Sequence, residues 1–444
     1  MAKKVSTKPP SGMRDFLPSD LVRRNHVVSV VREVYERYGF VPLETPSIEN
    51  LEILTGKYGE DEKLIYRLLH RGEKLEKILA AEDGVTAGAL ADQALRYDLT
   101  VPLARVVAQY GDLPKYFKRY QIQPVWRADR PGKGRFREFY QCDVDVTGTT
   151  SNVAECEVLA AGSEVLTTLG FDNFEFHVNH RGLLRSLIRS AGIDLSQEGT
   201  ALQAVDKLDK IGRDGVLTEL EGRGVGREHG EALLGLIAED ATIDSLKASL
   251  SDEEGQKALG ELEELFALLE ATPAAGKARF APQLARGLGY YTGPIFEGRV
   301  TDLGSSIAGG GRYDELVGMF GKQTVPAVGL SLGLERILVV MAEREMFPAL
   351  KQGPDVMLCW RGVERADVLK VAHALRGQGL RVEVFPEPTK LGKQIQYADN
   401  VNAAWVAVLG ESEIKDRTVS LKHLKTGTQS SVSVRDAASV IQGR

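Results

Sequence analysis

Apolar and polar positions change period several times along the chain, and each change marks an element. From residue 20, Val27, Val30, Val31, Val34, Tyr35 and Tyr38 recur at the three- and four-residue spacing of a helix with one apolar stripe. Ser19 or Asp20 would cap it and Gly39 would stop it. Residues 40–46, FVPLETP, read as a short strand whose prolines suit a sheet edge. That helix and strand are either a subunit contact or internal packing. Residues 63–69 form another candidate strand, and 101–110 a helix with Pro102 in its first turn. The clearest signal is 120–147, YQIQPVWRADRPGKGRFREFYQCDVDVT. Alternation over 121–126 and again over 139–146 predicts two strands, and 128–138, with Pro131, Gly132 and Gly134, predicts the turn between them. Residues 152–170 predict an amphipathic helix and 171–179 a strand. Helical periodicity then dominates 181–277, most clearly at 200–212, 228–238 and 257–271, as a small helical insertion. Strand-like texture returns at 284–297, a glycine-rich bend is expected at 306–313, and 326–341 runs from a strand into an apolar helix. Beyond Gly353, strands at 355–360, 380–385, 404–409 and 418–424 are interleaved with helices at 363–376 and 391–399 and a closing helix at 436–442. That order predicts a separate module with a parallel or mixed sheet.

A chain of 444 residues is too long for one core, so two or three domains are expected. No apolar run approaches the roughly 20 residues of a membrane span. The first ten residues, MAKKVSTKPP, carry lysines with no apolar stretch behind them, so neither membrane nor secretion is expected and cytoplasmic placement is. Cys142, Cys156 and Cys359 have neither metal-ligand spacing nor an even-numbered framework, which leaves any metal unassigned. The net charge of −6 argues against indiscriminate nucleic-acid binding, though not against local basic patches. Lys390, Lys393, Lys415, Arg417, Lys422 and Lys425 make such a patch in the last module, compatible with RNA contact or with a solvated face.

Chemistry concentrates in a few segments. The 120–147 hairpin carries Arg127, Arg130, Lys133, Arg135 and Arg137, which repel one another unless a polyanion such as phosphate arrives; the plainer reading is a solvated basic loop. Arg127 follows Trp126 in strand-like sequence, where a guanidinium needs a partner. Gln141 and Asp145 are four apart on the exit strand and so share a face. Asp98 and Thr100, two apart in strand-like sequence, share a face as well, as site residues or as a helix cap. Arg286, Tyr290 and Tyr291 sit among three glycines that allow close approach. Arg336, among core residues near a helix start, needs an anion, either a ligand or the carboxylate of Glu335 or Glu315.

Six segments, SGMRDFLP, GFVPLETP, WRADRPGKGRFREF, LARGLGYYTGPIFE, AGGGRYDELV and AVGLSLGLERI, occur in that order ahead of the basic module. Together they resemble the histidyl-tRNA synthetases, class II aminoacyl-tRNA synthetases. The resemblance implies an α+β fold. In it, 1–180 and 278–345 form a catalytic core on an antiparallel sheet flanked by helices, 181–277 is a helical insertion domain, and 353–444 is an α/β anticodon-binding domain. It implies ATP as substrate with Mg²⁺ expected, L-histidine and tRNA(His) as partners, and a homodimer through the 20–46 helix and strand. By the same resemblance, Arg127, Asp129, Arg135, Phe139, Arg286 and Arg336 would bind ATP, with Arg127 and Arg286 catalytic at the α-phosphate. Asp98, Thr100, Arg127, Gln141, Asp145, Arg286, Tyr290 and Tyr291 would bind histidine. Gly289 departs from the acidic or amide residue usual in the family, and the pocket is expected to survive that change. The alternative is a histidine-binding regulatory paralogue, a class that typically lacks the last domain and the phosphate-gripping arginines.

Overall fold

The computed structural model describes residues 5–55, 63–80, 85, 86, 88–285, 289–301, 306–321 and 323–443. It divides into two compact units, Met1–Asp15 with Arg24–Met346, and Phe16–Arg23 with Phe347–Arg444. In the first unit the strands are β1 (Val41–Pro42), β2 (Ile48–Asn50), β3 (Arg67–Leu68), β4 (Gln93–Leu95), β5 (Phe117–Trp126), β6 (Glu138–Thr147), β7 (Phe174–His180), β8 (Ala278–Phe280), β9 (Pro294–Val300), β10 (Ser306–Arg312) and β11 (Ala327–Gly333). The second unit adds β12 (Val356–Trp360), β13 (Val382–Val384), β14 (Trp405–Leu409), β15 (Thr418–His423) and β16 (Gln429–Ser433).

Eight strands form one sheet in the order β1-β5-β6-β11-β10-β9-β7-β8. Its neighbours from β5 through to β7 are all antiparallel, while the edge strands β1 and β8 join in parallel. β1 is the proline-bearing strand expected at an edge. The expected hairpin is β5 and β6, in unbroken register from Phe117↔Thr147 to Trp126↔Glu138. Alternation sends Cys142, Val144 and Val146 of β6 to one face and Gln141, Asp143 and Asp145 to the other. All six are buried, so the second face is polar without being solvated.

Helices cover the apolar face. Helix Pro18–Arg37 buries Val27, Val31, Val34 and Tyr35, and the Tyr35 hydroxyl donates to the Cys142 carbonyl at 3.2 Å. It starts earlier than the expected cap: Pro18 takes the first helical position and the Asp20 carboxylate accepts the Leu17 N–H. Helix Asn152–Thr168 is buried on nearly all sides instead of along one stripe. Gly162 lets it sit against β11, since a Cβ there would lie 2.5 Å from a Leu330 methyl. The helical segment comprises Arg181–Ser190, Glu198–Val205, Leu208–Gly222, Arg227–Leu236, Ile243–Ser249 and Glu253–Leu269, and the last packs on Asn152–Thr168 and Arg181–Ser190.

Three expectations change. The backbone turns at Gly289 and Tyr290, and β9 begins only at Pro294, so the described residues 284, 285 and 289–293 are not strand, and 286–288 lie outside the described residues. The glycine run at 309–311 belongs to a strand, β10, and not to a bend: a Cβ on Gly310 would lie 2.0 Å from the Gly329 carbonyl oxygen, so these glycines serve close strand approach. Asp98 and Thr100 do not share a strand face, because β4 ends at Leu95 and helix Thr100–Gln109 starts at Thr100. In the second unit the order is β13-β12-β14-β15-β16, parallel as far as β14 and antiparallel beyond it. The sheet is mixed, one of the two forms the sequence allowed.

Candidate active site

The polar face of the sheet is built in rows. Strand register sets Arg119 beside Asp145 and Gly329, Gln121 beside Asp143 and Ser331, and Gln123 beside Gln141 and Gly333. Gly329 is required there, because a Cβ would lie 1.9 Å from the Asp145 carboxylate. Arg119 has no exposed surface, and its Nη2 lies 2.8 Å from Asp145 Oδ2. Nη1 donates to Gln121 Oε1 at 3.1 Å and Nη2 also donates to the Leu99 carbonyl at 3.2 Å, while Nε has no hydrogen-bond partner among the described residues. One guanidinium thus ties the floor of the sheet to the segment that presents Asp98 and Thr100. The Tyr313 hydroxyl donates to the other Asp145 oxygen. Burial raises the Asp145 carboxyl above its ordinary value, opposed by the Arg119 charge. Asp143 is pushed up to about 7, first by burial, with Asp145 and Asp98 adding to the rise and Arg119 opposing it.

Above this floor lies a cleft of about 320 Å³. Asp98, Thr100, Gln141, Asp143, Asp145, Tyr290, Tyr291 and Tyr313 line one end. Asp98 Oδ1 accepts the Val101 N–H at 3.2 Å, so the cap and site readings of this residue coexist. Tyr290 and Tyr291 pack with ring centroids 4.9 Å apart, and Tyr290 is hydrogen-bonded to Thr100. Arg127, Asp129, Arg135, Phe136, Phe139 and Arg336 line the other end. Arg127 donates to the Tyr97 carbonyl at 2.9 Å and lies 5.2 Å from the centre of the Phe139 ring; among the described residues it forms no ion pair. Arg336 donates to the Ser306 carbonyl. Glu335, beside it, accepts the Tyr140 N–H with both oxygens, and burial pushes its carboxyl up to about 7.

Every expected site residue within the described chain lines this cleft; Arg286 lies outside the described residues. The hairpin cations are less isolated than their repulsion implied. Arg135 pairs with Asp129 at 2.8 Å, Lys133 pairs with Glu343 at 2.7 Å, and Arg137 donates to the Asp129 and Ser11 carbonyls. Arg119, Asp143, Tyr313 and Ser331 were not expected. The signal for Arg119 and Asp143 was present, because each shares strand parity with residues that were chosen. The cleft is therefore cationic and aromatic at one end, suited to phosphates and a flat base. At the other it is acidic, with three carboxylates around Arg119, and suited to a cationic ligand.

This sheet and this cleft define a class II aminoacyl-tRNA synthetase core. Residues 12–337 match the family model for histidyl-tRNA synthetase, and 357–444 match that for an anticodon binding domain. A histidine–tRNA ligase of Gloeobacter violaceus is 40% identical, with 98% of each chain covered, and one of Porphyromonas gingivalis is 42% identical, covering 97% of this chain and 98% of that one. The crystal structure of a histidyl-tRNA synthetase from Nostoc sp. superposes with a TM-score of 0.80 at 31% identity, over 99% of this chain and all of that one. The chain belongs to the histidyl-tRNA synthetase family.

Proposed function

We propose that the chain is a histidine–tRNA ligase: it joins L-histidine to ATP as histidyl-adenylate, releasing pyrophosphate, and passes the histidyl group to the 3′ end of tRNA(His). The observation that carries this reading is the division of one cleft into a cationic, aromatic end and an acidic end. A nucleotide triphosphate and a cationic amino acid fit those ends head to head, with the carboxylate of one against the α-phosphate of the other. The anticodon-domain match at 357–444 supports the ligase over a regulatory paralogue.

In the first step a histidine carboxylate oxygen attacks the α-phosphorus in line, a C–O–P bond forms and pyrophosphate leaves. Charge grows on the α-phosphoryl oxygens. Arg127 is assigned to stabilise it from a fixed position, with Arg286 opposite. Phe139 and Arg336 are assigned to the two faces of the adenine, and Asp129 and Arg135 to further nucleotide contacts. Asp98, Thr100 and Gln141 take the α-ammonium, and Asp145 with Tyr290 and Tyr291 reads the imidazole nitrogens. A competitor lacking those nitrogens would leave buried polar groups unpaired, a penalty that can reach about 10⁴-fold in discrimination.

Among the described residues no group of three or more acidic, cysteine or histidine side chains could hold a metal ion. Mg²⁺ needs no such cage, since one carboxylate together with substrate phosphates and water suffices. Glu297, in the cleft wall, is the carboxylate proposed for it; its Oε2 already accepts from Arg299 Nε and Nη2 at 3.1 and 2.9 Å, which leaves Oε1 for the ion. Bound with the nucleotide, Mg²⁺ would neutralise phosphate charge. The homodimer is proposed through the 20–46 helix and strand, supported by the edge position of β1 and the exposed side chain of Val41. No described helix is long and apolar enough to cross a membrane, and cytoplasmic placement is proposed from the tRNA substrate. Histidine-dependent exchange of pyrophosphate into ATP by the purified chain tests the reading; exchange that ignores histidine overturns it.

A further inference from the structure

The Gln141 side chain is 8% exposed, and its two amide atoms have different surroundings. Nε2 donates to Ser331 Oγ at 2.8 Å and faces Asp143 Oδ1 at 3.4 Å. Oε1 is buried and accepts no hydrogen bond among the described residues. A buried acceptor without a donor is costly unless something else supplies one. The cleft is where a donor can arrive, since Gln141, Asp143 and Ser331 all line it.

Amide orientation depends on what the neighbours demand. An ionised Asp143 accepts and cannot donate, so it admits only the NH₂ end of Gln141. A protonated Asp143 could donate, and would admit the carbonyl end equally well. From these contacts we infer that Asp143, with Ser331, is a positioning residue for amino-acid recognition: it turns the Gln141 carbonyl oxygen into the cleft, where that oxygen accepts from the substrate's α-ammonium. The inference deepens the proposed function and rests on it.

Asp143 is embedded among groups from several elements. Arg119 and Gln121 face it from β5, Arg96 and Asp98 from the segment ahead of helix Thr100–Gln109, and Tyr35 from helix Pro18–Arg37. Tyr313 follows β10, Ser331 lies on β11, and Asp145 lies two residues along β6. Burial raises the Tyr35 and Tyr313 phenols well above their ordinary value, away from the range between pH 6 and 8.5, and raises Asp145 as well, opposed by the Arg119 charge. Asp143, held near 7 mainly by burial, changes its own state inside that range. Ammonium recognition should therefore strengthen as pH rises through about 7. The substrate imidazole also titrates in this region, but it does so identically for wild type and variant, so the difference between their profiles isolates Asp143.

The experiment uses the full chain in pyrophosphate exchange, with Asp143→Asn, Ser331→Ala and Ser331→Thr, from pH 6 to 8.5. Histidinol keeps the ammonium and imidazolepropionate lacks it, and both serve as competitive inhibitors. For Asp143→Asn the expected result is a rise of about tenfold in KM for histidine and in Ki for histidinol, the scale of one hydrogen bond to a charged group. KM for ATP and Ki for imidazolepropionate should stay within about twofold, and the difference profile should show the step near pH 7. Ser331→Ala should move the same constants in the same direction, and Ser331→Thr should restore them. Equal losses for both inhibitors, or a flat difference profile, overturn the positioning role while wild-type exchange still supports the ligase. Absence of histidine-dependent exchange in the wild type removes the proposed function itself, a distinguishable failure.

Discussion

Arg119 shows how much one buried side chain can organise. It balances Asp145, holds Gln121, and anchors the Leu99 carbonyl between Asp98 and Thr100. Removing one member of a buried ion pair leaves the other charge uncompensated, which costs about 3–5 kcal/mol. Arg119→Met should accordingly lower the thermal midpoint strongly, whereas a drop of only a degree or two in calorimetry would show that Asp145 is not charged there. Tyr313→Phe is a gentler probe: it deletes one donor to the buried Asp145 and should raise KM for histidine about tenfold while lowering the melting temperature by less than Arg119→Met does. Glu335 supplies a pH test. Its folded pKa of about 7 lies above the ordinary 4.5, so its contribution is fully present below pH 4.5 and is lost as pH rises through 7, about 3 kcal/mol in all. In denaturant titrations Glu335→Gln should flatten that decline between pH 4.5 and 7.5. An unchanged slope would place the titration elsewhere.

Among the elements, those with strong periodicity were legible. The β5–β6 hairpin, the edge strand β1, the helical run after Arg181 and the mixed sheet of the second unit could all be read from spacing alone. Three features hid the rest. Glycines in β10 read as a bend because nothing in one sequence shows that another strand passes close by. The face of β6 that bears Gln141, Asp143 and Asp145 is buried and polar, and alternation cannot tell such a face from a solvated one. The serine-rich β16 is an exposed edge strand and carries no apolar signal. Of the site, individual arginines and carboxylates were visible and Arg119 shared their strand parity, but Tyr313 lies just past β10 and meets Asp145 only in the folded sheet. Gly310→Ala tests this at the level of the sheet. With backbone oxygen 2.0 Å from the new Cβ, β10 and β11 must separate, at a cost of about 1–3 kcal/mol. Faster hydrogen exchange confined to those strands is expected; unchanged protection would mean the strands have slack.

As a whole, the molecule carries a catalytic core, a helical segment and a C-terminal α/β module, the parts of one tRNA-charging enzyme. The 20–46 region adds a second copy in the proposed assembly. Val41→Asp should convert a dimer to a monomer in light scattering, and a dimer that persists would locate the contact elsewhere. The most direct test of the central claim is charging of tRNA(His) with labelled histidine by the purified chain, alongside Arg127→Ala. Histidyl-tRNA is expected from the wild type, lowered about 10²-fold or more in the variant. Equal charging by both proteins, or none by the wild type, would contradict it.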